Sequence, residues 1–232
     1  MAKQKESISL NQLHNFHNSR MGGDFIVLVL RIVFLLIPMV YTEYVTISTT
    51  ELKRRFYFFT LFSMTKVDVF TFLAITISLM KVFKINVPRK LLRVHQILFE
   101  TTFVSQVIVF IIYWVAIHHT MDDLIAEQGQ EFVKYLYVSH IIPFLCISAE
   151  LFISKPVVLQ SELIYMIYYG SIYTVSNFIQ TKLTNVRPYP FMTWEDYTSV
   201  IAFFVILLFM IVIYTVSSQI THIVNGVKQK QE

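Results

Sequence analysis

A threonine and a histidine at similar depth in the apolar blocks of this sequence are a pair of types that can do covalent chemistry without a cofactor. A threonine hydroxyl is a weak nucleophile at neutral pH until a neighbouring base takes its proton. A neutral imidazole within hydrogen-bond reach is such a base. Thr60 and His140 suit these roles by position. Thr60 lies four residues into the second apolar block of the chain, roughly 6 Å from its start, and His140 eight residues into the fourth, roughly 12 Å down, at about 1.5 Å per helical residue. If both blocks begin at the same membrane face, the two side chains share a leaflet, as an acid–base pair must. Each also has an ordinary alternative. Threonine in a spanning helix commonly bonds the carbonyl one turn back, and a lone helical histidine is more often a hydrogen-bonded structural residue than a catalyst. Ser63, Tyr137 and Ser139 are near in sequence as oxyanion donors, but nothing in the sequence selects one of them.

Other chemistries fit less well. The single cysteine, Cys146, excludes an intramolecular disulfide, CxxC redox chemistry and a cysteine-based metal site. His118 and His119, followed by Asp122 and Asp123, lack the i, i+4 spacing of a helical metal site and read as a solvated loop. Seven scattered histidines do not make the clustered set of a diiron desaturase, and no GxSG-like segment of an intramembrane serine protease occurs. The net charge of +4 comes from basic residues split among loops, which fits a cytosolic surface near anionic lipid better than a nucleic-acid footprint. Arg31, Lys66, Asp68, Glu100, His140 and Glu150 fall inside the apolar blocks. Ionisable groups at that depth cost several kcal/mol and usually face a bundle interior. They read either as buried pairs that fix helix register or as part of a functional path.

The elements that position these residues are six apolar blocks, 24–45, 56–80, 97–117, 132–153, 161–182 and 197–222. Each meets the roughly 20 residues that a spanning helix needs. The sixth is the plainest; the fifth, rich in Tyr, Ser and Thr, suits the inside of a bundle, where hydroxyls bond to neighbouring helices. With the N-terminus in the cytosol, eleven Lys and Arg lie on the cytosolic side and six on the other, against the dissent of the run Lys53-Arg54-Arg55. Residues Met1 to Arg20 are polar, without the apolar core of a cleaved signal peptide. The expected fold class is therefore all-α: a polytopic membrane protein of six transmembrane helices with N- and C-termini cytosolic. A polar tail, 1–20, precedes a membrane domain, 21–224, and a short basic tail, 225–232, follows.

Three stretches carry a resemblance to a known family. Arg55-Phe56-Tyr57-Phe58-Phe59-Thr60 is similar to an Arg-Trp-Lys-Tyr-x-Thr segment that ends in a nucleophilic threonine. His140 with an apolar run to Glu150 is similar to a histidine segment, and Tyr189-Pro190-Phe191 to a Val-Tyr-Pro-Phe turn between the last two spans. Leu92 to Trp114 is a fourth, looser match. The order and spacing, from about residue 50 to 225, resemble the androgen-induced protein / androgen-dependent TFPI-regulating protein family of multipass membrane threonine hydrolases. The sequence departs from the pattern at Phe56 and Tyr57, and at Tyr137, where the family often has a second histidine. The resemblance implies an enzyme that hydrolyses fatty acid esters of hydroxy fatty acids through an acyl-threonine, with Thr60 the nucleophile and His140 the base. It implies no metal or organic cofactor. The partner would be a lipid ester arriving through the bilayer of the endoplasmic reticulum or plasma membrane. The competing reading is a non-catalytic transporter, lipid-binding or scaffold protein that uses the buried charges. Transporters usually show Gly- or Pro-interrupted helices in paired halves, and Pro38, Pro143 and Gly170 show no such pairing.

Overall fold

The computed structural model describes residues 23–49, 58–118, 121–187, 189 and 192–225, with the side chains of 116, 117 and 121–124 excepted. The tails 1–20 and 226–232, the run Lys53-Arg54-Arg55, His119, Pro190 and Phe191 lie outside these residues. The described residues contain no strand. Among the described residues seven α-helical elements follow in order: α1 Asp24–Thr49, α2 Phe59–Val82, α3 Arg89–Ile112 with a π turn Tyr113–Ile117, a short α4 Met121–Gln128, α5 Gln130–Ile153, α6 Leu163–Thr184 and α7 Thr198–Asn225. The acidic loop expected around 118–131 thus contains a helix, α4.

Five of these helices, α1, α2, α3, α5 and α7, are long and apolar enough to cross a membrane. In hydrocarbon no water is present to bond backbone N–H and C=O groups, so helices are one of the two structures that can span. α6 has 22 residues, about 33 Å at the usual rise, but its Tyr, Ser, Thr, Asn and Gln content keeps it out of that apolar class. α1 passes through a π segment, Ile32–Leu36, directly before Pro38. Proline has no N–H to give the carbonyl four residues back and its ring crowds that carbonyl, and a widened turn relieves both problems.

α1, α2, α3 and α5 pack as a four-helix group, and α6 and α7 pair with each other against α3. α3 is the hub, with 61% of its most apolar stretch buried, against 17% for α7. The distribution of residue types is that of a protein with an apolar solvent. Phe72, Tyr168, Ile172, Phe204 and Leu208 are exposed, while α3 buries His95, Gln96, Glu100, Thr102, Ser105 and Gln106. α3 begins at Arg89 rather than near 97: on its first two turns Arg89, Lys90 and Val94 are exposed while Leu92, His95 and Gln96 are buried, and Pro88 supplies the extended residue that starts the helix. The chain is accordingly a multi-pass membrane protein.

Several interior polar groups are matched across helices. Arg31 on α1 forms a bidentate pair with Glu150 on α5, one arm of which is Nε to Oε2 at 3.1 Å. Arg31 Nη1 also donates to the Ala74 carbonyl at 3.0 Å and to Ser78 Oγ at 2.7 Å. Glu100 on α3 accepts from Gln96 Nε2 (2.8 Å), the Leu159 amide (3.2 Å) and Tyr214 Oη (2.5 Å). The extended segment 154–159 is therefore able to enter the bundle: Gln96, Ser218 and Asn225 donate to its carbonyls and Thr221 accepts from the Val158 amide. A buried backbone without such partners would cost the desolvation of each group.

Candidate active site

Thr60 is the second residue of α2 and His140 the eleventh of α5. Thr60 Oγ1 lies 3.1 Å from His140 Nε2. The contact joins helices whose starts are not level. By the count from each N-terminus, α2 begins roughly 14 Å further along the bundle than α5, so the pair meets below the N-terminal end of α5 and beside the recessed start of α2. The contact thus joins two helices of different stagger, and counting along the apolar blocks, roughly 6 Å against roughly 12 Å, reveals only part of it.

The hydrogen bonds define the protonation of the ring. His140 Nδ1 lies 2.7 Å from the Leu136 carbonyl, which can only accept, so Nδ1 carries the hydrogen. Nε2 then presents a lone pair, and the Thr60 hydroxyl donates to it. This is the tautomer that a general base acting on Thr60 needs. Tyr113, in the π turn after α3, stacks on the imidazole at 4.8 Å between centroids and 30° between planes, fixing its orientation. His140 is buried and Thr60 half-buried. Other threonines show the ordinary use of the residue in this fold: Thr42, Thr46, Thr65 and Thr174 each donate to the carbonyl four residues back. Thr60 instead reaches across to another helix.

Both side chains line a cavity of about 220 Å³ between α2, α3, α5, α6 and α7. The rest of its wall is mainly apolar, including Ile108, Leu207, Phe209 and Met210, with Tyr173, Thr174 and Tyr189 as further polar members. Such a wall suits an acyl chain with a single polar bond presented to Thr60. Among the described residues no group of three His, Cys, Asp or Glu is gathered to hold a metal ion. His118 sits against Trp114 and Tyr137, His119 is outside the described residues, and so are the side chains of Asp122 and Asp123.

The serines near in sequence are used elsewhere. Ser63 donates to the Thr60 carbonyl at 3.0 Å and accepts from Gln106 at 3.1 Å. Ser139 lies on the Nδ1 side of the imidazole, at 3.2 Å, away from Thr60. Tyr137 lies by His118, 3.4 Å from Nδ1. The intramembrane charges also stay outside the cavity wall: Arg31 pairs with Glu150, and Lys66 donates to the Thr101 carbonyl at 2.9 Å beneath the Tyr169 ring.

Sequence reasoning did not mark Gly170 as part of the site, although a small residue in the middle of a helix is the signal for a close approach of a neighbouring helix. A Cβ at Gly170 would fall 2.8 Å from Met210 Sδ. The thioether is flexible, so a larger residue at 170 pushes Met210 into the cavity rather than preventing folding. For an ester hydrolase that uses this cavity, Gly170→Val is expected to lower turnover of long-chain esters relative to short-chain ones by about tenfold, the scale of a methylene or two in an apolar pocket. Comparing kcat/KM for a C4 and a C16 acyl ester on the same preparation checks it; an unchanged ratio would place the acyl chain elsewhere. Comparison with known proteins adds no further constraint on the site: no family model, no curated protein and no solved structure matches the chain.

Proposed function

We propose that this protein is an intramembrane ester hydrolase that cleaves fatty acid esters of hydroxy fatty acids, with Thr60 as nucleophile and His140 as general base. The observation that carries the reading is the 3.1 Å contact of Thr60 Oγ1 with an imidazole nitrogen whose partner nitrogen is tied to a carbonyl. The apolar cavity around that contact supports a lipid substrate, and the resemblance of the Thr60, His140 and Tyr189 segments to the androgen-induced protein family supports the ester class.

In this mechanism Thr60 Oγ1 attacks the ester carbonyl carbon while its proton passes to His140 Nε2. The carbonyl π pair moves to oxygen. Collapse of the tetrahedral intermediate breaks the bond to the hydroxy fatty acid, whose alkoxide oxygen takes the proton from His140, and leaves an acyl-threonine. Water then attacks that ester, its proton going to His140, and collapse returns the proton to Thr60 Oγ1 and releases the fatty acid. An apolar substrate reaches such a site laterally from the bilayer. α6 serves as a sixth span in this reading, placing both termini in the cytosol by the Lys and Arg count, in the endoplasmic reticulum or plasma membrane.

The decisive assay uses the full-length protein in membranes with a fatty acid ester of a hydroxy fatty acid, and a fluorophosphonate probe in parallel. Turnover together with Thr60-dependent labelling is expected. A protein that neither hydrolyses the ester nor takes the label would sink the reading and return the buried charges to first consideration.

A further inference from the structure

A histidine that takes a proton becomes a cation, and His140 must do so inside a largely apolar bundle. Its imidazole meets four groups: Thr60 Oγ1, the Leu136 carbonyl, Ser139 Oγ and the ring of Tyr113. Among the described residues none of the ion pairs includes it. The acids of the bundle stand elsewhere. Glu150 holds Arg31, and Glu100 accepts from Gln96, Tyr214 and the Leu159 amide. Asp68 lies eight residues beyond Thr60 on α2, roughly 12 Å along the helix. The histidine of a Ser-His-Asp triad has a buried aspartate at Nδ1 that stabilises its imidazolium. Here a carbonyl stands at Nδ1, which accepts a hydrogen bond but supplies no full negative charge.

Tyr113 offers an attraction from another direction. Its ring centroid is 4.8 Å from that of His140 with 30° between the planes, so the two rings stack face to face rather than edge to face. An aromatic face carries the negative part of the ring quadrupole. A cation within about 6 Å of the centroid is attracted to it, more strongly where both are desolvated. Tyr113 is fully buried and His140 is 5% exposed. The ring is held from two further sides: Trp114 meets it at 5.5 Å and 81°, and Tyr137, three residues before His140 on α5, at 5.8 Å and 64°. The backbone is unusual at the same place. Tyr113 opens the π turn after α3, its carbonyl accepting from the His118 amide five residues on. Such turns are rare and collect at functional sites.

We propose that Tyr113 is a positioning residue for the hydrolysis, acting through the face of its ring to stabilise the imidazolium that His140 becomes. The assignment rests on the hydrolase reading above. In the step concerned, Thr60 Oγ1 bonds the ester carbonyl carbon as its O–H bond breaks, and the proton joins the lone pair of His140 Nε2. The positive charge spreads over the imidazole, against the Tyr113 face. Tyr113 gives and takes no proton. The attraction ends when His140 passes its proton to the departing alkoxide, and it returns when His140 takes a proton from water in the second half of the cycle.

The test replaces Tyr113, in the full-length protein in membranes, by phenylalanine and by its 4-fluoro, 3,5-difluoro and 3,4,5-trifluoro derivatives, with kcat and KM measured separately. Fluorine withdraws electron density from the face while the ring keeps its shape and stays apolar, so a packing role alone predicts level rates. Tyr113→Phe is expected within a few-fold of wild type. Along the series kcat is expected to fall with each fluorine, by about tenfold or more at the third, while KM stays within a few-fold. Tyr113→Leu, which removes the face, is expected to lower kcat by about 10- to 30-fold. If the leucine protein does not fold, the fluorinated series decides alone. A kcat that stays level along the series leaves Tyr113 as packing and overturns the assignment. A Tyr113→Phe protein more than tenfold below wild type also overturns it, by placing the role in the hydroxyl. Wild-type turnover lost in Thr60→Ala shows, in the same experiment, that the hydrolase reading survives either failure; a wild type without turnover overturns both.

Discussion

Thr60→Ala is expected to lower kcat for ester hydrolysis by on the order of 10⁴-fold or more, with the protein still folded and inserted. The size follows from what is removed. Alanine offers no oxygen to form the acyl-enzyme, and residual catalysis is limited to what the cavity and an oxyanion donor supply to a water molecule. His140→Ala is expected to cost a similar amount, because without the base the threonine hydroxyl keeps its proton and its poor nucleophilicity. The two effects will not add: the double variant should resemble either single one, since the pair acts as a unit through the 3.1 Å contact. Thr60→Ser keeps the oxygen and should retain measurable turnover and fluorophosphonate labelling. Steady-state rates at matched expression, with intact mass spectrometry for the acyl-enzyme, check all four proteins. Independent, multiplicative losses at Thr60 and His140 would mean that the contact is not the chemical unit.

Glu150→Ala is expected to destabilise the folded protein by about 3–5 kcal/mol, the cost of leaving one partner of a buried ion pair uncompensated. Arg31 and Glu150 are 2% and 0% exposed, and the pair joins α1 to α5 while Arg31 also binds the Ala74 carbonyl and Ser78 on α2. Removing the carboxylate strands a guanidinium among three helices, and removes the acceptor of the Ser154 hydroxyl, 2.5 Å from Glu150 Oε1. The double replacement Arg31→Met with Glu150→Leu should be markedly more stable than Glu150→Ala alone, because no unpaired charge remains. Thermal unfolding in detergent micelles measures both. Neither residue lines the cavity, so KM of the folded fraction should hold for either variant. A double variant no better than the single one would show that the pair contributes net stability rather than register.

These two predictions draw on different levels of the molecule, and the sequence reveals them unequally. Helix content was legible because hydrophobicity is written locally along the chain: apolar runs as long as α1, α2, α5 and α7 have few other ways to satisfy their backbone in lipid. The start of α3 was not legible. Its Arg89–Gln96 turns look like a loop because a polar stretch is assumed to face water, whereas Leu92, His95 and Gln96 turn inward, Gln96 donating to the Val157 carbonyl, and only Arg89, Lys90 and Val94 stay exposed.

The buried charges could be listed from residue type and rough depth, whereas Thr60 and His140 stand out from the other threonines and histidines only through the resemblance of their segments. What the sequence by itself determined is therefore the chemical inventory, the helical class and the set of groups that the bilayer forces inward. Tertiary structure alone decided that Arg31 takes Glu150, 119 positions away, rather than another acid, and that Thr60 meets His140 across 80 positions. It also decided that Nδ1 rather than Nε2 carries the imidazole hydrogen, that Gly170 gives its space to Met210, and that a loop tyrosine ends against the first turn of α2. The physical reason is that burial is a property of single residues and is additive along a segment, whereas a hydrogen bond between helices depends on stagger and rotation to within an ångström. Those are set by the packing of every side chain in the interface at once.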